Sequence, residues 1–184
     1  MARILKPPPG RLVVSVIYSS LDALADAIKA MEKKFGRVQY ETLEISCSAK
    51  DDYREEMGEN LLRRFYSFER EIPRDGLPSV KNMCHKIEPQ FADVVDDFLF
   101  RTVNIDPGIL TPTTLVMASH REFSHRIYLK DGVYGEMTLI YSRGQFMRMP
   151  WTNSDYCDDE AISFFNRVRD PFDVPNPAQQ ALSI

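Results

Sequence analysis

The N-terminal part of the chain alternates between two clear hydrophobic patterns. Residues 11–18 (RLVVSVIY) form a nearly unbroken run of apolar and β-branched side chains, which is typical of a strand covered on both faces. Residues 21–35 place apolar side chains at alternating steps of three and four, which predicts a helix with one apolar stripe. Ser19 or Ser20 can cap the start of this helix, and Gly36 stands where a C-terminal cap belongs. We therefore expect a strand followed by a helix.

The remaining pattern predicts mostly strands, with two more helices. A polar stretch over 48–58 predicts a loop with one or two helical turns, closed by Gly58. The sequence Asp106-Pro107-Gly108 has the residues of a turn that separates two short strands. The elements expected after the first helix are strands at about 38–45, 64–72, 101–104 and 113–118, a helix from Pro78, two hairpins, and a last helix capped by Asp158.

The order of these elements over the first two-thirds of the chain is βαββαβ, which is that of a ferredoxin-like unit. We expect an α+β fold with a ferredoxin-like βαββαβ core, a C-terminal antiparallel β-hairpin extension and a covering helix. The length of 184 residues suits a single domain. Residues 1–10 are expected to form an extended lead-in, residues 11–170 the domain, and residues 171–184 a flexible Pro-rich tail.

The first hairpin, within residues 124–141, can form in two registers. A two-residue turn at Asp131 and Gly132 would mix polar and apolar side chains on both faces of the ribbon. A three-residue loop over 130–132 separates them, and a slip by one residue would reverse the sorting, so the pattern favours this loop. The direct neighbours in this register are Leu129 and Val133, Tyr128 and Tyr134, and Arg126 and Glu136.

The second hairpin brings a further cation to the same face. A loop of the same form over 142–144 pairs Thr138 with Arg148 and places Arg148 diagonal to Glu136. This face is either an anion-binding surface with aromatic walls or a solvated surface with cross-strand ion pairs. His125 falls on the apolar face, where a hydrogen-bonded core residue is favoured over a base. The side chains that we predict together on the polar face are Arg126, Glu136 and Arg148, flanked by Tyr128 and Tyr134.

Carboxylates elsewhere offer candidate metal ligands. Four of them fall within residues 51–56, and on a helical turn Asp52 and Glu56 would share a face. Mg²⁺ is bound by carboxylates of this kind, so magnesium is a candidate cofactor with Glu56 as a ligand; a solvated charge cluster is the alternative. Asn104 and Asp106 either complete the predicted turn or bind a ligand hydroxyl or a metal at a strand end.

Composition and charge narrow the classes of partner. The net charge is −4 and the basic residues are scattered, which gives no electrostatic reason to expect binding to nucleic acid. No stretch approaches the roughly 20 apolar residues of a membrane helix. The three cysteines form no CxxC pair and are odd in number, so free thiols in a reducing compartment, the cytoplasm, are expected. No GxSxG motif or flanked cysteine marks a nucleophile.

Four stretches of the sequence resemble a known family. They are DDYREEMG (51–58), VNIDPGIL (103–110), SHRIYLKDGVYGEMTLIY (124–141) and PWTNSDY (150–156). Together they are similar to the bacterial and archaeal domain-of-unknown-function 4416 family, over about residues 11–169. The resemblance implies a small stand-alone cytoplasmic protein and no established activity. Some similar proteins carry the label GTP-binding protein, but this chain has no GxxxxGK loop followed by Ser or Thr.

We expect a protein that binds a small molecule, a nucleotide or another phosphate ester, with or without catalysis. In this hypothesis Arg126 and Arg148 hold an anion, and Glu136 orients them or acts as a catalytic base. The alternative is a non-catalytic module that binds a protein partner through the same sheet face and the tail. The other expected roles are ring stacking by Tyr128 or Tyr134, ligand binding by Asn104, catalysis by Asp106, and metal binding by Glu56 and Asp106.

Overall fold

The computed structural model describes residues 4–48, 50–95, 98–170 and 172. In this part of the chain, helices pack on both faces of a large antiparallel sheet. The helices are α1 (Leu21–Phe35), α2 (Lys50–Met57), α3 (Leu77–Ile87) and α4 (Asp159–Arg169). The strands are β1 (Gly10–Tyr18), β2 (Val38–Glu41), β3 (Ile45–Ser46), β4 (Leu62–Ile72), β5 (Asp93–Val95), β6 (Phe98–Phe100), β7 (Val103–Leu110), β8 (Thr114–Ser119), β9 (Arg126–Lys130), β10 (Val133–Ser142) and β11 (Gln145–Arg148).

The main sheet has nine strands, and its pairings in the described residues are all antiparallel. Its order is β11-β10-β8-β7-β1-β4-β2, with β3 beside β4 and β9 beside β10. β5 and β6 form a separate two-stranded sheet. The expected mixture of helices and antiparallel strands is therefore confirmed. The sheet is larger than a four-stranded core with one added hairpin.

β1 is an inner strand that is buried on both faces, as its apolar run predicts. Leu12 and Val14 pack against side chains of α1 and α3 on one face of the sheet. Val13 points to the other face and packs against the aromatic side chains of α4. The predicted cap of α1 is also confirmed, because Ser20 Oγ accepts a hydrogen bond from the backbone N–H of Ala23 at 3.3 Å.

The turn predicted at 106–108 is wrong, because β7 runs straight through these residues. The whole of Val103–Leu110 pairs with β1. Backbone groups point alternately to the two edges of a strand, so the ring nitrogen of Pro107 lies on the same edge of β7 as the backbone groups of Ile105. β8 does not pair with β7 at that point. Proline, which has no N–H, therefore leaves no ladder hydrogen bond unmade here.

Both C-terminal hairpins turn over two residues rather than the predicted three. In the first hairpin Val133 pairs with Lys130, so the predicted pairing of Val133 with Leu129 is wrong. A β-bulge after Val133 compensates for the shorter turn, and the predicted pair of Arg126 and Glu136 is confirmed. The turn residues have the positive φ angles that a type I′ turn requires; they are Asp131 (52°), Gly132 (76°), Arg143 (52°) and Gly144 (83°).

The two ends of the chain are described in part. Residues 4–9 form neither helix nor strand before β1 begins. The predicted tail over 171–184 lies outside the described residues apart from Phe172, whose ring centroid is 5.3 Å from the guanidinium carbon of Arg11. Of the helices in the described ranges, none combines the length and the apolar character needed to cross a membrane.

Because β8 lies close to β7 at Gly108, we predict that replacing this glycine by a larger residue destabilises the fold. A Cβ atom at Gly108 would lie 2.3 Å from Met117 Sδ and 2.9 Å from the backbone oxygen of Val116, and a paired backbone cannot move aside. We expect Gly108→Ala to lower the free energy of unfolding by about 1–3 kcal/mol, measured by urea denaturation. Gly76→Ala is the matched control, because Gly76 has an ordinary φ of −81° and its new Cβ would meet its nearest neighbour at 3.3 Å. Equal losses in the two variants would contradict the prediction.

Candidate functional site

β7 and β8 are neighbours in the sheet but diverge along part of their length. These strands pair only over Gly108–Leu110 and Leu115–Met117. Beyond that region, β8 continues to Ser119 alongside β10, whereas β7 extends back to Val103 alongside β1. A cavity of about 440 Å³, lined by residues of both strands, lies where they diverge. Its volume is within the usual range for small-molecule sites.

Two side chains take the place of a neighbouring strand along this part of β7. The backbone N–H of Ile105 donates to Glu88 Oε1 at 2.7 Å, and its carbonyl oxygen accepts from Lys81 Nζ at 3.1 Å. Lys81 lies on α3 and Glu88 lies in the 3₁₀ turn that follows it; they are 5% and 2% exposed. A buried N–H or C=O without a partner costs about 1–3 kcal/mol, so these two bonds allow β7 to stay unpaired on this edge.

Lys81 also forms an ion pair with Asp106. The Nζ–Oδ1 distance is 2.6 Å, and Asn104 Nδ2 donates to the other carboxylate oxygen at 2.7 Å. Burial alone would raise the pKa of Asp106, but the Lys81 ammonium and the two hydrogen bonds outweigh it and hold that pKa below its ordinary value. Burial likewise opposes the charge of Lys81, yet Asp106 and Glu88 raise the pKa of Lys81 above its ordinary value. Both groups are therefore charged at neutral pH.

Arg101 ties this network to α2. Its guanidinium donates to Glu88 Oε2 at 3.3 Å, to Asn104 Oδ1 at 3.2 Å and to the carboxylate of Glu56. Burial opposes its charge, but Glu56 and Glu88 raise the pKa of Arg101 above its ordinary value. The two predicted metal ligands, Glu56 and Asp106, are thus bound to different cations. Among the described residues, no group of three or more His, Cys, Asp or Glu side chains is placed to hold a metal ion.

Arg126 and Glu136 form another wall of the cavity. Arg126 Nε donates to Glu136 Oε2 at 2.7 Å, so the two side chains that share a face in the predicted register are in direct contact. Arg126 NH1 also donates to Ser119 Oγ at 2.9 Å and to the carbonyl oxygen of Arg121 at 3.0 Å. Because both members of the pair are largely buried and line the cavity, they do not form a flat, solvated surface.

His125 and Trp151 lie beside this pair and also line the cavity. His125 Nε2 is 3.1 Å from Glu136 Oε2, and the imidazole stacks on the Trp151 indole with centroids 5.0 Å apart and an interplanar angle of 12°. Trp151 Nε1 donates to the carbonyl oxygen of Met137 at 2.9 Å. The expected core position of His125 is wrong, because His125 precedes β9 and the alternation of that strand does not extend to it.

Arg148 lies away from the cavity, contrary to the prediction. With a two-residue turn and no bulge in the second hairpin, Arg148 pairs with Leu139 rather than with Thr138. Directly paired residues face the same side of a sheet. Leu139 packs in the core under α4, whereas Thr138 lines the cavity. The slip of one residue therefore turns Arg148 to the opposite face, where it lines a separate pocket.

The predicted tyrosine wall also lies outside the cavity. The rings of Tyr128 and Tyr134 meet edge to face farther along the same hairpin, with centroids 5.4 Å apart, and Tyr134 donates to Glu122 at 3.3 Å. Neither ring is part of the cavity lining. The aromatic residues that do line the cavity are Tyr53, Phe123, Trp151 and Tyr156.

The sequence-based prediction missed several residues that the fold brings to the cavity. All three histidines of the chain line it, and so do Lys81 and Glu88. His120 Nε2 lies 2.8 Å from Asn82 Oδ1; burial, Lys81 and His85 lower the pKa of His120, so its imidazole is neutral at pH 7. The seven-residue spacing of Lys81 and Glu88 predicts that they lie on the same side of the helical segment, but not that this side contacts β7. The histidines lie at the ends of elements, where periodicity says nothing.

A fully buried arginine completes the polar lining. Arg63 Nε lies 2.7 Å from Asp155 Oδ2, and Arg63 NH1 donates to Ser15 Oγ at 2.8 Å. Asp155 in turn accepts from the Ser48 hydroxyl at 2.8 Å. Burial opposes the charge of Arg63, but nearby Tyr156 and Asp155 raise the pKa of the guanidinium above its ordinary value. Its charge is therefore held in place by the fold.

The cavity lining carries more positive than negative charge. Arg121 contacts no carboxylate among the side chains that the structure describes; its guanidinium carbon lies 5.6 Å from the centroid of the Tyr53 ring. The other four cations each contact a carboxylate. The partners of Arg63 and Arg101 include carboxylates outside the lining, Asp155 and Glu56. Arg121 is therefore the cation of the lining that has no carboxylate contact among the side chains that the structure describes. The charged side chains of the lining are the cations Arg63, Lys81, Arg101, Arg121 and Arg126 and the anions Glu88, Asp106 and Glu136.

Comparison with known proteins identifies one family whose model matches most of the chain. A family model with the description Domain of unknown function (DUF4416) matches residues 8–172. No curated protein and no solved structure matches the chain. The matched range contains every residue that lines the cavity. The resemblance expected from the four sequence stretches is therefore confirmed.

Removing the Asp106 carboxylate would leave Lys81 charged and buried without its counterion. We expect Asp106→Asn to lower the free energy of unfolding at pH 7 by about 3 kcal/mol, as for other broken buried pairs. The pKa of Asp106 lies below its ordinary 3.8 in the folded protein, so the ion pair stabilises fully above that pH and its contribution is lost as the pH falls through the folded-state pKa. Urea unfolding of both proteins should therefore show a difference that shrinks in acid.

A matched surface pair provides the control for this prediction. Asp26 binds Lys29 at 2.9 Å, but both side chains are exposed. Asp26→Asn should change the free energy of unfolding by less than about 1 kcal/mol. A loss in Asp106→Asn that is no larger than this, or one that stays constant into acid, would contradict the prediction.

Proposed function

The chain belongs to the family described as Domain of unknown function (DUF4416), and we propose that it binds a small organic anion of the phosphate-ester class in the cavity between β7 and β8. The observation that carries this proposal is Arg121, a guanidinium in the cavity lining that contacts no carboxylate among the side chains that the structure describes. A phosphate group can bind it without breaking an internal ion pair. Arginine is the residue best suited to such recognition, because its planar fork of donors matches phosphate oxygens.

Arg126 supports the proposal as a second, already oriented donor. Glu136 holds it through Nε and Ser119 holds it through NH1. The same NH1 donates to the backbone of Arg121, which joins the two arginines in one wall. A side chain that is ordered before the ligand arrives loses little further conformational freedom on binding. In this proposal Glu136 orients the anion-binding arginine, as the sequence predicts.

Aromatic side chains provide a surface for the rest of the ligand. Tyr53 lies beside Arg121, and the Trp151 indole lies beside His125 in the same lining. These rings replace Tyr128 and Tyr134 as candidate stacking partners. A nucleoside phosphate combines a planar ring with a phosphate group, so we favour it within the phosphate-ester class. The polar groups of Asn104 and Asp106 remain candidates for binding a ligand hydroxyl.

A protein-binding module is the second candidate, and the edge strand β9 favours it. Ile127 is 73% exposed and Leu129 is 42% exposed on this strand. β9 pairs with β10 on one side, and the described residues place no strand on its other side. Such an edge can accept a strand from a partner. Ile127→Lys would then weaken partner binding and leave anion binding in the cavity unchanged, which separates the two candidates.

We also infer a ferredoxin-like core and a cytoplasmic location. The order β7-β1-β4-β2 within the larger sheet, with α1 and α3 packed on one face of it, supports the core. The free thiols of Cys47, Cys84 and Cys157 support a reducing compartment.

Trp151 offers a direct test of anion binding. It is the only tryptophan of the sequence and it lines the cavity, so its fluorescence reports on this site. Nucleoside monophosphates and sugar phosphates should change the fluorescence on titration and raise the melting temperature. Arg121→Ala and Arg126→Ala should each weaken binding about 10- to 100-fold, since a hydrogen bond to a charged group contributes about 1.5–3 kcal/mol. Parallel titrations with Mg²⁺, repeated in Glu56→Gln, test the magnesium hypothesis.

Arg148→Ala is the matched control for these variants. It removes the same side chain from the same ribbon, but from the face opposite the cavity. Its affinity should equal that of the wild type. Equal losses of affinity in Arg148→Ala and Arg126→Ala would contradict the proposal. So would the absence of any fluorescence or melting-temperature response to these anions.

A further inference from the structure

The imidazole of His125 is oriented in the way that a catalytic base requires. A carboxylate oxygen only accepts hydrogen bonds, so the Nε2 atom that lies 3.1 Å from Glu136 Oε2 carries a hydrogen. In the neutral ring the lone pair then lies on Nδ1. This nitrogen has no hydrogen-bond partner among the described residues, and the His125 side chain is 20% exposed and lines the cavity. The lone pair is therefore available to a group bound there.

The contacts around His125 fix the plane of the ring. Trp151 stacks on the imidazole at 5.0 Å, and the Phe123 centroid lies 5.7 Å away. Glu136 is itself held by Arg126 Nε at 2.7 Å. A base that is oriented by a carboxylate, which is anchored by a third residue, follows the general logic of catalytic triads.

We infer, resting on the proposed function, that the protein hydrolyses the phosphate ester that it binds and that His125 is the general base. Nδ1 takes a proton from a water molecule while the water oxygen forms a bond to phosphorus. The bond from phosphorus to the ester oxygen breaks, and its electron pair leaves with that oxygen, which takes a proton from solvent to become an alcohol. The imidazolium then releases its proton to solvent, so each cycle consumes one water.

The charges of the cavity lining suit this reaction. Arg121 and Arg126 belong to the wall in which His125 lies, so they can stabilise the negative charge of the phosphoryl oxygens during the displacement. Glu136 lies between Arg126 and His125 and stabilises the imidazolium that forms. Glu136 is a positioning residue in this scheme, because it acts through His125.

The hydrolysis is tested with chromogenic esters and the full chain. p-Nitrophenyl phosphate and bis-(p-nitrophenyl) phosphate are the probes, and nitrophenolate release is the readout. His125→Gln keeps an amide donor for Glu136 but has no base, so it should lower kcat about 10²- to 10⁴-fold with little change in KM. Free imidazole should restore part of the rate to His125→Ala. Arg148→Ala, purified in parallel, should keep the wild-type rate. The loss of rate in His125→Gln purified by the same procedure would exclude a contaminating phosphatase.

The role of Glu136 has a separate readout. Long-range nitrogen–proton NMR spectra should show the His125 hydrogen on Nε2 in the wild type. Glu136→Gln should weaken that preference and lower kcat, and KM should rise as well because Glu136 also orients Arg126. An unaltered tautomer together with an unaltered kcat would remove Glu136 from the scheme.

The outcomes distinguish this inference from the proposed function. Binding of the two probes, seen as a change in Trp151 fluorescence, without nitrophenolate release would overturn hydrolysis and leave anion binding intact. A wild-type rate in His125→Gln would overturn the role of His125. No fluorescence response to any phosphate ester would overturn both proposals.

Discussion

The backbone of Ile105 is bound by two side chains where a sheet would ordinarily supply a strand. Glu88 and Lys81 reach β7 from α3 and the turn after it, and they let β8 leave β7 without exposing unsatisfied groups. Because the two side chains that replace the strand are charged and buried, each needs a partner of opposite charge. A buried ammonium needs a carboxylate, which Asp106 supplies, and the buried Glu88 needs a cation, which Arg101 supplies. Much of the polar lining of the cavity therefore follows from one unpaired strand edge.

The walls of the cavity are ordered by the fold itself. Arg63, Arg101 and Arg126 are each held by a carboxylate and by at least one further hydrogen bond. Buried ion pairs of this kind add little net stability compared with apolar residues of the same size. They do provide fixed charges in a partly buried space, where electrostatic interactions are stronger than in bulk water and need no rearrangement. Fixed charges of this kind are consistent with the proposed anion site.

Hydrophobic periodicity correctly predicted the parts of the molecule whose structure depends on residues close together in the chain. The buried strand β1, the capped helix α1 and the contact of Arg126 with Glu136 all follow from periodicity within one short segment. In the first hairpin, a two-residue turn with a bulge gives the same facing of side chains as the predicted three-residue loop. The second hairpin has a two-residue turn without a bulge, so its register differs by one residue and Arg148 was misplaced. The contacts of Lys81 with β7 join distant parts of the chain through packing, and no pattern in one sequence encodes them.

Pro107 limits strand pairing along the unpaired edge of β7 independently of the side chains that bind Ile105. If Glu88 and Lys81 moved away, the N–H and C=O groups of Ile105 would be free to form hydrogen bonds with another strand. The next position on that edge would still lack a donor, so neither β8 nor a strand from another molecule could extend a ladder along it. The proline therefore acts as a safeguard against self-association at the place where the sheet is left incomplete.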